Sequence, residues 1–160
     1  FYHNIMTTFI GEYNCKLDAK GRLMLPKKKK KHLAPECQDR FVIKRDIYAQ
    51  CLVLYPWDEW ERMNTIIKKN TNPYNKEHNN FLRAFFKGTA ELILDNTNRL
   101  LIPKRLLDEV KIANEAVLAG QFGKIEIWAP GIYDSSMLSN DDFASLAETI
   151  LGGSINNAGD

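Results

Sequence analysis

A chain of 160 residues, 44% hydrophobic and 26% charged, has the make-up of one globular domain or two small interlocked ones, not of a disordered chain. It holds no run of about 18 apolar residues, so no transmembrane helix is expected, and Phe1 to Thr8 lack the basic-then-apolar order of a secretory signal. Net charge is only +2, yet eleven Lys or Arg fall between Lys16 and Arg45 against Asp18, Glu36 and Asp39, while the stretch after Lys124 holds six acidic residues and no basic one. This asymmetry points to a polyanion, most naturally a nucleic acid, at the basic end.

In chain order, Phe9 to Leu17 alternates as a strand, with Tyr13, Cys15 and Leu17 on one face and Asn14 and Lys16 on the other. Asp18-Ala19-Lys20-Gly21-Arg22 reads as a turn, in which the Asp18 carboxylate accepts from local backbone N–H groups and Gly21 tolerates positive φ. Leu23–Leu25 is a short apolar strand ended by Pro26, and Lys27 to Leu33 is expected as a short helix with Pro26 in its first turn. Strands Phe41–Ile43 and Cys51–Tyr55 follow, joined by a polar loop.

Pro56 opens a helix with Trp57, Trp60, Met63 and Ile67 on one face. The Asn-rich stretch Asn70–Asn80 interrupts it, and a second helix from about Glu77 carries Phe81, Leu82, Phe85 and Phe86 before Gly88. These aromatic stripes are helical in spacing and single-faced, which assigns them to the core rather than to a base-stacking surface. The remainder reads as strand Ala90–Leu94, a turn, strand Leu100–Ile102, helix Lys104–Val110, and strands Ala116–Ala119 and Lys124–Trp128. Ser139 or Asn140 is placed to cap a last helix, with Asp141 and Asp142 in its first turn and Phe143, Leu146, Ala147 and Ile150 inward. Gly152 and Gly153 are expected to end that helix and leave a mobile tail to Asp160. The chain thus divides into a first half (9–57), a helical connector (58–87), a second half (88–131) and a C-terminal helix with tail (132–160).

The two halves carry one repeated motif. At an offset of 77, Leu17, Asp18, Arg22, Leu23, Pro26 and Lys27 recur as Leu94, Asp95, Arg99, Leu100, Pro103 and Lys104. Two copies are too few for a solenoid and fit a pseudo-two-fold domain in which each half completes the other's core. Each copy sets an Asp and an Arg four apart across a turn between apolar strands. The Asp is accounted for equally well by turn formation alone. The Arg points further, because Lys20 and Arg22 flank Gly21 on an exposed loop and the run Lys27–Lys31 follows directly. Phosphates need cations, and guanine edges favour the bidentate fork of arginine.

Cys15, Cys37 and Cys51 are odd in number and, like His3, His32 and His78, sit at no metal-ligand spacing. Free thiols in a reducing cytoplasm are expected, with no metal or other cofactor. No nucleophile–base pair or phosphate-cradling glycine loop stands out, so neither an enzyme nor a small-molecule substrate is expected.

At these residues a resemblance becomes specific. Gly11–Pro26, reading Gly-Glu-Tyr-Asn-Cys-Lys-Leu-Asp-Ala-Lys-Gly-Arg-Leu-Met-Leu-Pro, resembles the opening of the MraZ family of bacterial transcriptional regulators. The second copy, Tyr55-Pro56-Trp57, Glu59-Trp60 and Glu126-Ile127-Trp128 are similar to that family too, so the resemblance covers roughly Phe9 to Ser139. It implies an α+β fold in which a pseudo-two-fold pair of SpoVT/AbrB-like swapped-hairpin halves forms a small barrel with flanking helices. It also implies a ring-like homo-oligomer that binds double-stranded promoter DNA at repeated short boxes. Such a protein would control the division and cell-wall gene cluster, including its own promoter, at the nucleoid and without a membrane partner. The candidate DNA-binding residues are Lys20, Arg22, Lys27, Lys28, Arg99 and Lys104, with Asp18, Gly21, Asp95 and Asn98 forming the turns. Two departures stand out. Asn98 replaces Gly21, and asparagine is the next-best residue for a left-handed position. Lys29 and Lys30 replace Leu106 and Leu107, where long stems could cover apolar surface while their heads stay wet.

Two alternatives belong to other classes. An antitoxin-like DNA binder of the same half-fold would need a tail that folds on its toxin, whereas the chain after Lys124 reads as mostly structured. A protein-interaction barrel would not bind DNA at all, which an electrophoretic shift across a salt series distinguishes.

Overall fold

A computed structural model describes residues 10–26 and 39–157. The described elements are β1 (Glu12–Lys16), β2 (Arg22–Met24), β3 (Arg40–Arg45), β4 (Leu52–Pro56), α1 (Trp57–Asn70), α2 (Lys76–Phe86), β5 (Ala90–Ile93), β6 (Arg99–Leu101), α3 (Lys104–Glu109), β7 (Glu115–Gln121), β8 (Lys124–Trp128), α4 (Pro130–Ser136) and α5 (Asn140–Asn157). The expected helix Lys27–Leu33, with Lys27 and Lys28, lies outside the described residues. Prolines set two starts: α1 follows Pro56 and α3 follows Pro103. Asn75 caps α2, its side chain accepting from the Glu77 and His78 N–H groups.

The repeat is built as an exchange of strands. One antiparallel sheet runs β1-β7-β8-β4-β3-β5, and β2 and β6 form a separate two-stranded ribbon. The first strand of each half therefore pairs with the third strand of the other, Tyr13 opposite Leu118 in β1–β7 and Ala90 opposite Ile43 in β5–β3. The halves join at β4–β8, where Val53 faces Glu126. In the ribbon Leu23 faces Leu100, its own repeat equivalent, so the local two-fold passes between two fully buried leucines.

The fold is α+β, two exchanged hairpin halves with flanking helices. Among the described residues no ladder joins β1 to β5, so the strands do not close the expected barrel. One isolated bridge, Leu17 to Leu23, links the ribbon to the chain just after β1.

One core layer holds Leu23, Leu25, Phe41, Ile43, Leu100 and Ile102, each at most 1% exposed. Opposite it, Val42, Val53 and Tyr55 pack against Trp60 and Phe85 from the connector helices, with Trp57, Met63 and Ile67 beside them. Trp60 and Phe85 stack with centroids 5.9 Å apart and planes 8° apart. Central strand β4 is buried at every position, which is why its sequence is a continuous apolar run rather than an alternation.

From Gly131 the chain forms a second compact unit. Ser139 does cap α5, its Oγ accepting from the Asp142 N–H at 3.1 Å. Two expectations fail there. The helix runs through Gly152 and Gly153 to Asn157, because about 1 kcal/mol per glycine is too little to stop a helix already propagating. Phe143, Leu146 and Ile150 are exposed rather than inward, since a unit of two helices, one of them only seven residues long, has too little surface of its own to cover an apolar stripe. Helix α4 was not foreseen from the sequence; it follows Ala129 directly and is led by Pro130.

Gly21 combines positive φ with a close approach of backbone and core side chain. Its φ is +85°, and an added Cβ would sit 3.3 Å from both the Ile102 carbonyl oxygen and Leu107 Cδ1. Asn98 takes the matching position at φ +62°. We expect Gly21→Ala to destabilise the protein by about 1–3 kcal/mol and Asn98→Gly to change it by less than about 1 kcal/mol. Urea midpoints at constant slope measure both, and a parental midpoint for Gly21→Ala would refute the close-approach account.

Candidate nucleic-acid interface

Both motifs make the same three-residue hairpin loop, whose third residue is left-handed. In the first, the Asp18 N–H donates to the Arg22 carbonyl and the Gly21 N–H to the Asp18 carbonyl, each at 3.0 Å. In the second, the Asp95 N–H donates to the Arg99 carbonyl at 2.9 Å and the Asn98 N–H to the Asp95 carbonyl at 3.1 Å. The carboxylates then fill the loops. Asp18 Oδ1 accepts from the Lys20 and Arg22 N–H groups, both at 3.0 Å, and Asp95 Oδ1 accepts from Thr97 and Arg99, both at 2.9 Å.

The second carboxylate oxygen holds the arginine. Arg22 Nε donates to Asp18 Oδ2 at 2.6 Å, and Arg99 Nε donates to Asp95 Oδ2 at 3.0 Å. Pinning through Nε orients the guanidinium while leaving its two terminal nitrogens as the end of the fork. Arg22 and Arg99 are each about a third exposed, at 28% and 32% of their side chains. The carboxylates are held below their ordinary pKa by the same contacts. For Asp18 the N–H of Arg22 contributes most, with its guanidinium and the Lys20 N–H adding. The N–H of Arg99 dominates for Asp95, which falls to about 2.

The exchange of strands brings the two turns together. Arg99 Nη1 lies 3.8 Å from Asp18 Oδ2, although the residues are far apart in sequence. The ribbon registers place Arg22 opposite Leu101 and Met24 opposite Arg99, and Met24 and Leu101 are 54% and 55% exposed. The outer surface beside the arginines thus carries two symmetric apolar side chains, which an apolar-strand reading of Leu23–Leu25 did not distinguish. Lys20 is exposed on the first turn, where the second has Thr97. Lys104 is exposed at the start of α3, and that helix rests on the first turn, Leu107 lying against Gly21. Neighbouring Arg105 is spent on structure, donating to the Gly88 carbonyl at 3.1 Å.

Among the described residues no cluster of His, Cys, Asp and Glu is suited to a metal, and no helix is long and apolar enough to cross a membrane. Cys15 and Cys51 are free thiols, and burial pushes Cys15 up to about 11 and Cys51 higher still. Neither has the lowered pKa of a nucleophile.

Two segments of the chain, residues 8–83 and 85–150, match the family model described as "MraZ protein, putative antitoxin-like". The chain belongs to the MraZ family. It is similar to the transcriptional regulator MraZ of Christiangramia forsetii, with 45% identity over 92% of this chain and 95% of the relative. The corresponding regulator of Flavobacterium psychrophilum is 42% identical over 92% and 94%, and that of Cytophaga hutchinsonii 35% identical over 91% and 96%. Each matched segment contains one Asp–Arg turn, so the MraZ pattern repeats along the chain with the exchanged halves.

The lowered carboxyl pKa values set an acid limit on the turns. A group whose folded pKa lies below its unfolded one adds stability above the unfolded value and loses it as pH falls through the folded value. We expect the contribution of Asp95 to be complete above about pH 5 and to disappear as pH approaches 2. Urea unfolding across that range should show a shallower acid decline for Asp95→Asn than for the parent protein; identical declines would exclude the turn as a source of acid sensitivity.

Proposed function

We propose that the protein is a sequence-specific DNA-binding transcriptional regulator, without catalysis, that reads repeated short promoter boxes through its paired Asp–Arg turns. The observation that carries this reading is the pair of guanidinium groups, each oriented by its own aspartate and brought side by side across the ribbon. Arginines held in this way lose little freedom on meeting a base edge, and a bidentate contact to guanine contributes about 1–3 kcal/mol of discrimination. A two-stranded ribbon is also narrow enough for a major groove. Relatives named transcriptional regulators support the same conclusion.

Within this reading, Lys20 and Lys104 contact phosphates beside the first turn, and Lys27 and Lys28 extend that contact, although they lie outside the described residues. The partner is double-stranded promoter DNA at the nucleoid, including the gene's own promoter and the division and cell-wall cluster. The chain works as a ring-like homo-oligomer, for which the sheet's end strands β1 and β5 and the exposed stripe of α5 offer surface. Halves 9–57 and 88–131 act as DNA-binding modules, and 58–87 ties them together. An electrophoretic shift with the gene's upstream DNA tests the reading directly, and failure to prefer that DNA over random duplex at any salt concentration would overturn it.

Arg22→Ala should reduce box preference roughly ten- to hundredfold while leaving fold and assembly intact, because Asp18 still accepts two backbone N–H groups. Arg99→Ala should weaken binding less, since Arg99 stands between Asp95 and Asp18 and more of its charge is already answered. Matched titrations of the two purified variants measure the difference, and a greater loss for Arg99→Ala would reverse the assignment.

The lysine run supplies affinity without sequence information. Each phosphate contact adds about −0.9 to the log–log salt slope on duplex DNA. Replacing Lys28, Lys29 and Lys30 with Gln should weaken specific and random DNA alike and flatten the slope by up to about three units. An unchanged slope with reduced thermal stability would assign the run to covering apolar surface instead.

A further inference from the structure

An open cavity of about 920 Å³ lies among the end of β3, helix α2 and helix α3, within the first compact unit. Lys44, Arg45, Lys87 and Arg105 line it, against two carboxylates, Asp46 and Glu109. Asp46 is already engaged in its own turn, accepting from the Tyr48 and Ala49 N–H groups at 3.0 and 2.8 Å. The wall is therefore cationic on balance.

Lys44 is the unusual member. It is only 4% exposed, and its Nζ donates to the Arg45 carbonyl at 3.1 Å and sits 4.2 Å from the centre of the Phe85 ring. Those contacts answer part of an ammonium that has three donors, and among the described residues no carboxylate lies within ion-pairing distance of it. Burial lowers its pKa, opposed by Asp46 and reinforced by Lys124. A buried charge is retained at such a cost only where something answers it. Thr89 lines the same cavity, and its Oγ1 is buried without a hydrogen-bond partner among the described residues. Phe81, which its helical spacing assigns to the core, is instead 43% exposed and supplies an aromatic surface there.

The half-fold itself does not require these cations. Ile43 and Leu118 are equivalent in the ladders, facing Ala90 and Tyr13, so the positions after them compare Lys44 and Arg45 with Ala119 and Gly120. The second half makes the same sheet without charge at that place.

We propose that this cavity binds a small phosphate-bearing ligand with an aromatic body, of the nucleotide class, its phosphate toward Lys44 and Thr89 and its ring against Phe81. The site is separate from the Asp–Arg turns, and its ligand is independent of whether those turns read DNA.

Isothermal titration of the full chain, free of DNA, with AMP, UMP and inorganic phosphate tests the proposal. One nucleotide should bind per chain, more tightly than phosphate alone. Lys44→Met should weaken it by about tenfold or more, because a charge-assisted contact is lost. Exposed Lys87→Gln should weaken it about threefold without disturbing the fold, and so remains decisive if Lys44→Met does not fold. Arg22→Ala should leave the affinity unchanged. The proposal is overturned by the absence of saturable AMP or UMP binding up to about 5 mM. It is equally overturned by full affinity in Lys87→Gln, by phosphate binding as tightly as either nucleotide, or by loss in Arg22→Ala, which would place the ligand on the turns.

Discussion

Neither half of this protein can complete its own sheet, and everything else follows from that. Strands β1 and β5 take their hydrogen-bond partners from the opposite half, β7 and β3. Backbone N–H and C=O groups removed from water have to be paired, so the two halves are mutually obligatory rather than docked modules. The exchange turns a sequence repeat into a spatial two-fold centred on Leu23 and Leu100. Symmetry about that point sends both turns out beside each other. The 3.8 Å approach of Arg99 to Asp18 is thus a consequence of core packing, not a separate design at the surface.

Within that frame the copies share backbone and differ in chemistry. The hydrogen bonds of the two turns agree within about 0.1 Å at the backbone, although one uses Gly21 and the other Asn98. Glycine is needed only in the first, where Leu107 and the Ile102 carbonyl press against it. The end of β3 carries Lys44 and Arg45, while the equivalent end of β7 carries Ala119 and Gly120. A repeated fold constrains positions that face the shared core and leaves the outward and end positions to specialise. Charge asymmetry in this chain is therefore compatible with structural symmetry.

The connector helices serve packing. Trp60 and Phe85 close over Val42, Val53 and Tyr55, which keeps one face of the sheet dry beneath a pair of helices. Glu59, also buried, is held by Arg62 at 2.6 Å. These contacts stiffen the sheet from which the ribbon and its turns project, and an arginine can be aimed only as well as the scaffold beneath it is fixed.

The amino-acid order alone carries the turns, the helix starts at Pro56 and Pro103, the amphipathic connector and the repeat. These are local properties: an aspartate reaching its own loop, a proline fixing φ, an apolar side chain recurring at three or four residues. It marked Arg22 and Arg99 as a related pair but could not bring them together. Long-range packing set which strand each half lends to the other, that the sheet stays open among the described strands, and that Met24 and Leu101 face outward from an apolar run. It also buried Lys44 against Phe85. Each of those outcomes depends on partners distant in sequence, whose contact energies outweigh the local preferences from which a single chain is read.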